Sequence, residues 1–179
     1  MGTVAAATVT NPNPATGPTP ARIARGDRLF WGRAAQVRAA RRFVVAGLTA
    51  TLAQADDTAA MEVDRDVVAL LVSEMVTNAV LHSASGQADG TLLVRYELEL
   101  AATAGAGIGW LRVAVRDLGG PTMPRRCRHR LESTGRRGLE IVEALASRWG
   151  VGRHPRGRVV WFELELKAKP VRAGRPAPG

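Results

Sequence analysis

The sequence predicts an α/β fold: a two-layer α/β sandwich in which helices cover one face of a mixed, mostly antiparallel sheet. Hydrophobic residues make up 46% of the 179 residues, enough for a single core. Segments 37–52 and 65–82 repeat apolar residues at helical spacing. Segments 91–100 and 110–117 instead alternate apolar and polar residues, as half-exposed strands do. Adjacent strands joined by a short loop favour antiparallel pairing.

One domain is expected between two tails. Residues 1–26 are rich in Ala, Thr, Pro and Gly without periodicity, and residues 169–179 have the same character. Both segments therefore predict disordered tails, with the domain spanning 27–168. The single cysteine, Cys127, excludes an internal disulfide and a cysteine-based zinc site. The chain shows neither a membrane-spanning apolar run nor a signal peptide, so a cytoplasmic protein is expected.

The elements follow from the pattern in chain order. Asp64 is the expected N-cap of the second helix. The inward faces of the first two predicted strands are Leu92, Val94, Tyr96, Leu98 and Leu100, then Leu111, Val113, Val115 and Asp117. An irregular basic segment, Pro121–Thr134, precedes a third helix predicted over 137–149. The apolar stripe of that helix is Leu139, Val142, Leu145, Ala146 and Trp149. Segment 158–166 closes the domain as a strand.

The charge is concentrated at the C-terminal end of the chain. The formal net charge is +9, and residues 125–179 contain 14 Lys and Arg against 5 Asp and Glu, which accounts for the whole excess. A charge-balanced N-terminal part followed by a basic C-terminal part indicates an anionic partner. Basic surface alone leaves open whether that partner is a nucleotide, a nucleic acid or an acidic protein.

Two short stretches carry polar groups where core residues are expected. In SEMVTNAVLHS, Glu74 and Asn78 are four residues apart and therefore share one face of an otherwise apolar helix. Burying a carboxylate there is costly unless something binds it. In VRDLGG, Asp117 ends a buried strand just before Gly119 and Gly120. A carboxylate at that position can accept a hydrogen bond from an exocyclic amine such as that of adenine.

Two further stretches contain glycine at the start of an element. TGRRGLEIV opens a helix with glycines, where free backbone amides and the helix dipole attract phosphate. GRVVWFEL enters the last strand through a glycine turn. Each short pattern is weak alone, but their order and their positions on a helix, a strand end and a helix start support one nucleotide site.

Together these stretches resemble a known family. LLVSEMVTNAVLHS, VAVRDLGG, GLEIVEALASRWGV and GRVVWFEL are similar to the histidine-kinase-like (gyrase/Hsp90-type, Bergerat-fold) ATPase domain over residues 41–166. The nearest branch resembles the anti-sigma-factor serine/threonine kinases and related regulatory ATP-binding proteins of actinobacteria.

The resemblance implies ATP and Mg²⁺ as ligands and assigns roles to particular residues. Asn78 would ligate Mg²⁺, Glu74 would be the general base, and Asp117 would bind the adenine amine. Gly119 would let the base approach the backbone. The phosphate-facing end of a lid over 121–137 would comprise Gly135, Arg137, Gly138 and Leu139.

Two departures from the family pattern keep alternative functions open. Arg136 stands where the lid motif Gly-x-Gly-Leu has its first glycine, and Val159 stands where many relatives have threonine. The leading hypothesis is a kinase that phosphorylates a serine or threonine of a small antagonist protein and also sequesters a sigma factor; intact Glu74 favours it. The second is a non-catalytic module whose ATP occupancy switches partner affinity, which Arg136 and Val159 favour.

Other partners are ranked lower or left open. Nucleic-acid binding, suggested by the basic C-terminal end, ranks third because the sequence has no recognition-helix pattern. A membrane partner is not expected. The oligomeric state is left open, with a homodimer among the alternatives.

Overall fold

The computed structural model describes residues 20–54, 61–101, 108–120 and 137–168. Over these segments the chain forms six strands and three helices. They are β1 (Pro20–Trp31), α1 (Ala34–Ala53), β2 (Met61–Glu62), α2 (Arg65–His82), β3 (Thr91–Ala101), β4 (Ile108–Asp117), α3 (Arg137–Leu145), β5 (Arg148–His154) and β6 (Gly157–Ala168). A 3₁₀ turn, Ala84–Gly86, follows α2. None of the helices in these segments has the length and apolar character needed to cross a bilayer.

The strands form a sheet whose main order is β1-β3-β4-β6. β5 pairs with the first half of β6, and β2 pairs with its last two residues, so both lie beside the edge of β6 that faces away from β4. Every pairing among the described strands is antiparallel. The α/β sandwich is therefore confirmed, and these pairings are antiparallel throughout rather than mixed.

The core lies between one face of the sheet and the helices. α1 packs against α2, and α2 packs against α3. The inward residues predicted on the first two long strands are all buried, as are Val160, Phe162 and Leu166 of β6. From the helices the fully buried side chains include Val44, Leu48, Leu71, Val72, Val76 and Val142. Strand alternation and helical spacing both bring apolar residues to this single interface.

The helix that carries the polar pair, α2, begins as the sequence predicts. The Asp64 side chain accepts hydrogen bonds from the backbone N–H groups of Asp66 (2.9 Å) and Val67 (3.1 Å). An N-cap of this kind stabilises a helix by about 1 kcal/mol. At the other end the Ser83 hydroxyl donates to the Ala79 carbonyl (2.6 Å) and accepts from Ser85 N–H (3.1 Å). The position of α2 is therefore fixed at both ends by side-chain hydrogen bonds.

The third predicted helix is shorter than its apolar spacing suggested. α3 ends at Leu145, and Trp149 lies in β5, where it pairs with Phe162 of β6. Leu145 is exposed, whereas Leu139 and Ala146 pack against the core. The prediction of helix through 149 was wrong because pairing along the edge of β6 satisfies the backbone of 148–154, and no local pattern signals that long-range contact.

The first strand begins inside the segment that the sequence assigned to a flexible tail. β1 starts at Pro20 and pairs with β3 along its length, from Pro20 opposite Ala101 to Trp31 opposite Thr91. Residues 20–26 are thus ordered by a partner that lies far along the chain. The remainder of the predicted tail 1–26, and the tail 169–179, lie outside the described residues.

On the sheet face opposite the helices, charged side chains connect neighbouring strands. Glu163 on β6 lies between two arginines, with Oε1 2.7 Å from Arg112 Nη1 and Oε2 2.8 Å from Arg148 Nε. The contact with Arg148 is ionic and is not aligned as a hydrogen bond. The two guanidinium groups also cover Trp161 and Trp110, respectively. Ionic and cation–π contacts therefore join β4, β5 and β6 on this face.

Candidate functional site

The fold brings Glu74 and Asn78 together with the start of α3. Both side chains lie half-buried on α2, and Gly138, the second residue of α3, is buried against them. A Cβ atom at position 138 would stand 2.5 Å from Glu74 Oε2 and 3.2 Å from Asn78 Nδ2. Only a glycine lets the backbone of α3 approach the two polar side chains this closely. Three of the residues that the sequence predicted for one site therefore meet.

Asn78 contains a polar atom that the described segments leave unsatisfied. Its Nδ2 atom is buried and has no hydrogen-bond partner within the part of the chain that the structure describes. Leaving such a donor unpaired costs about 1–3 kcal/mol. A bound group that engages the amide would remove this cost. The position therefore has the chemistry of a ligand-binding side chain rather than a packing residue.

The donor set at this end fits a cation held mainly by a ligand. Across the described segments no cluster of three or more His, Cys, Asp or Glu residues can hold a metal. Mg²⁺ prefers oxygen ligands, keeps several waters and is commonly bound through one or two side chains plus substrate phosphates. The amide oxygen of Asn78, with the Glu74 carboxylate close by, suits that mode of binding.

The start of α3 supplies backbone donors beside this pair. α3 begins at Arg137, and the first amides of a helix have no partner within the helix. Together with the helix dipole they favour an anionic group such as phosphate. Leu139 packs partly buried against the core and anchors this end. Gly135 and the rest of the predicted lid, 121–136, lie outside the described residues, as does the side chain of Arg137.

The second part of the site lies at the end of β4. Asp117 is buried, and its Oδ1 atom accepts a hydrogen bond from Gly119 N–H at 2.7 Å. Its Oδ2 atom accepts from Nε of Arg158 at 2.7 Å, and Arg158 is buried as well. The carboxylate predicted to take the adenine amine thus already has a charged partner, although each oxygen retains a further lone pair.

Arg158 is the residue that sequence reasoning missed. Besides Asp117, it donates from Nη2 to the carbonyl of His82, the last residue of α2, at 2.8 Å. A signal was present, because Arg158 shares the inward parity of Val160 and Phe162 on a buried strand. An arginine on that face requires a buried acceptor, and Asp117 is the inward carboxylate at the end of the neighbouring strand.

The register also corrects the interpretation of Val159. Asp117 pairs with Arg158, and Arg116 pairs with Val159. Successive side chains of a strand point to opposite faces, so Val159 lies on the face away from Asp117. The β6 residue that lies beside the carboxylate is therefore Arg158, which is charged, rather than Val159.

Two glycines bring the turns around Asp117 together. Gly119 has φ +77° and Gly157 has φ +141°, both in the region that residues with a Cβ rarely adopt. A Cβ at Gly119 would stand 3.4 Å from Cα of Gly157, and one at Gly157 would overlap the Asp117 carbonyl oxygen. Gly119, predicted from the sequence to allow close approach of a base, thus lies where two backbone segments are in contact.

A serine ties the turn after α2 to the turn after β4. The Ser85 hydroxyl donates to the Thr91 carbonyl (2.7 Å) and accepts from Leu118 N–H (2.9 Å). Ala84 N–H donates to the Gly119 carbonyl at 2.6 Å. These bonds hold the end of α2 beside Asp117, in addition to the bond from Arg158 to His82.

The two ends of the site are therefore arranged along one helix. The contacts around Asp117 meet α2 at His82, whereas Gly138 meets it at Asn78 and Glu74. At 1.5 Å rise per residue these levels are separated by about 6–12 Å. One end offers a carboxylate acceptor and the other an amide, a carboxylate and helix amides. The arrangement suits an elongated ligand with a hydrogen-bonding base at one end and negative charge at the other.

Comparison with known proteins agrees with this arrangement. A family model described as the histidine kinase-like ATPase domain matches residues 30–164, most of the chain and all of the site elements described above. No curated protein sequence matches the chain.

Proposed function

This chain belongs to the histidine kinase-like ATPase domain family, and on that premise we propose that it is an ATP- and Mg²⁺-binding regulatory protein kinase of the anti-sigma-factor type. The observation that carries the proposal is the contact of Gly138 with Glu74 and Asn78, beside an amide donor that has no partner among the described residues. Its substrate would be a serine or threonine of a small antagonist protein. We place it in the cytoplasm, and a homodimer remains an alternative to a monomer.

In this proposal different residues bind different parts of the nucleotide. Asp117 accepts a hydrogen bond from the adenine amine, and Gly119 lets the base approach the backbone. The amides at the start of α3 and the Arg137–Leu139 segment face the phosphates. Asn78 would hold Mg²⁺ together with the phosphates, and the ion would supply positive charge beside the transferred group. Glu74 accepts the proton of the substrate hydroxyl group. The hydroxyl oxygen forms a bond to the γ-phosphorus as the bond from that phosphorus to ADP breaks.

A second function uses the same site without transfer. ATP would close the segment around Gly138 and change affinity for a protein partner such as a sigma factor or an antagonist. Arg136 in place of a lid glycine supports this alternative, because positive φ is costly for a residue with a Cβ. Both functions require the same ATP site, so the first experiment tests them together.

Titration calorimetry with ATP, in the presence of Mg²⁺ and then of excess EDTA, tests nucleotide binding. We expect saturable binding that weakens at least about tenfold without Mg²⁺ or in Asn78→Ala, which corresponds to about 1.4 kcal/mol. Glu99→Gln, an exposed change on β3, is the matched control and should bind as the native chain does. Native protein that fails to bind ATP would refute both functions.

Transfer of the γ-phosphate separates the kinase from the switch. Native protein, Glu74→Gln and Glu99→Gln are incubated with γ-labelled ATP and candidate antagonist proteins that contain a serine or threonine. The kinase predicts labelling by the native chain and by Glu99→Gln but not by Glu74→Gln, while all three bind ATP. Equal labelling by Glu74→Gln contradicts its role as base. Absence of labelling, together with ATP-dependent partner affinity, supports the switch.

A further inference from the structure

A groove beside α1 is lined by residues that are all distinct from those of the nucleotide site. It lies between α1, β1 and β3 and has a volume of about 590 Å³. We call it the α1 groove. The residues that define it here are Arg28, Arg42, Phe43, Ala46, Gly47 and Tyr96. Its floor is aromatic, its α1 side is made of small residues, and two arginines stand at its margin.

Tyr96 forms part of the floor of the α1 groove. Tyr96 is only 9% exposed, and its ring packs edge-on against Phe43 with the centroids 5.4 Å apart. Tyr96 is also one of the lining residues, and a tyrosine hydroxyl group can donate a hydrogen bond to an acceptor of a bound group.

Two glycines make room for the end of the Tyr96 ring. A Cβ at Gly26 of β1 would stand 2.5 Å from its Cε1 atom, and a Cβ at Gly47 of α1 would overlap the hydroxyl oxygen. Glycine within a helix or strand destabilises the fold by roughly 0.5–1 kcal/mol relative to alanine. The chain thus has two conformationally unfavourable residues where the end of the Tyr96 ring requires space.

The surroundings of the groove are strongly basic. Residues 20–54 contain seven arginines, and Asp27 is the one acidic residue among them. Arg28 and Arg42 are exposed, and neither has a carboxylate within ion-pair distance among the described residues. Arg28 instead lies 5.3 Å above the ring of Phe30. The groove therefore combines two guanidinium groups that have no carboxylate partner in the described segments with the hydroxyl group of Tyr96, an uncharged hydrogen-bond donor.

The length of the groove indicates the size of its ligand. Ala39, Ala46 and Ala50 line it along three turns of α1, so it extends about 16 Å at 1.5 Å per residue. An extended peptide covers that distance with about five residues, at roughly 3.3 Å each. The small α1 side chains leave room for apolar side chains of such a peptide over Phe43.

We propose that the α1 groove binds an extended acidic segment of a partner protein. A glutamate or aspartate of that segment accepts the Tyr96 hydroxyl hydrogen bond and pairs with Arg28 and Arg42, while apolar residues two positions away on either side, which share its face, lie over Phe43 and Ala46. Charge-assisted bonds to arginine supply orientation, and burial over the aromatic floor supplies affinity. This interaction does not require ATP and is therefore independent of the function proposed above.

Fluorescence polarisation with the labelled heptapeptide Ser-Leu-Ser-Glu-Ser-Leu-Ser, whose Glu and Leu share one face when extended, tests the proposal. The same peptide with Gln in place of Glu is the uncharged probe. We expect the full chain to bind the acidic peptide at least about tenfold more tightly than the uncharged one. The double change Arg28→Glu, Arg42→Glu should abolish binding, and Tyr96→Phe should weaken it about two- to tenfold, as loss of one hydrogen bond does.

The control is Arg95→Glu, which makes one such charge reversal at an exposed position on the other face of the sheet. It should leave peptide affinity unchanged, and all groove variants should bind ATP as the native chain does. Three results would overturn the proposal. They are no peptide binding, equal loss in Arg95→Glu, and tighter binding of polyphosphate or a short oligonucleotide that the groove variants lose. The last result would assign the groove to a different polyanion.

Discussion

Arg158 and Asp117 form a buried ion pair, with Nε 2.7 Å from Oδ2 and with 4% and 1% of the two side chains exposed. The same guanidinium bonds the carbonyl of His82 at the end of α2. The carboxylate at the base end of the site is thus attached to the helix that carries Asn78 and Glu74.

We predict that removing one member of this pair is strongly destabilising. Arg158→Met and Asp117→Asn should each lower the free energy of unfolding by about 3 kcal/mol, since each leaves an uncompensated buried charge. The double variant buries no net charge at the pair and should lose less than the sum of the two. Urea denaturation without nucleotide measures all four proteins. Additivity within about 0.5 kcal/mol would mean that the two side chains are not coupled.

The ion pairs of Glu163 should contribute far less. Arg112 and Arg148 are 34% and 60% exposed, so both can turn to water when the carboxylate is lost. We therefore expect Glu163→Gln to lower the free energy of unfolding by about 1 kcal/mol or less. The same urea titration compares its free energy of unfolding with that of Arg158→Met. A larger loss in Glu163→Gln than in Arg158→Met would contradict the importance assigned here to burial.

Asn78→Ala should separate stability from binding. Because Nδ2 of Asn78 is buried without a partner in the described part of the chain, removing it eliminates an unfavourable group. We expect thermal denaturation of the ligand-free variant at or slightly above the native midpoint, while Mg²⁺-dependent ATP affinity falls at least about tenfold. The outcome that contradicts this interpretation is a clear loss of stability together with unchanged ATP affinity.

Gly138→Ala should also affect the site more than the fold. The new Cβ meets the ends of the Glu74 and Asn78 side chains, which can move away, and alanine favours a helix by up to about 1 kcal/mol over glycine. We expect unchanged or increased stability, with lower ATP affinity and slower phosphate transfer. Titration and denaturation of the same preparations measure both. Glu140→Ala, an exposed change in the first turn of α3, is the control and should preserve ATP binding.

The elements that the sequence predicted well are those defined by local patterns. α1, α2 and the two central strands carry long runs of regular spacing, and Asp64 caps α2 as expected. Glu74, Asn78 and Gly138 could be grouped because they lie on one helix face and one helix start. Each of these inferences needs only neighbouring residues and a motif.

The features that escaped prediction depend on distant partners. β1, β2 and β5 become strands because an edge of β3 or β6 is available to them, and their own residues alternate poorly. Arg158 was overlooked for the same reason, since its importance arises from a carboxylate 41 positions earlier. The register between β4 and β6, which no local rule supplies, distinguishes Arg158 from Val159.

The long edge strand has a consequence for how the protein is made. Every residue pair between β1 and β3 joins positions at least 60 apart, so this part of the sheet has high contact order and forms late. At translation rates of about 5–20 residues per second, synthesis reaches the end of β3 about 3.5–14 s after it reaches the end of β1. During that interval the apolar end of β1 has no partner strand; it comprises Leu29, Phe30 and Trp31. Arg25 and Arg28 lie just before them and oppose aggregation of the nascent chain.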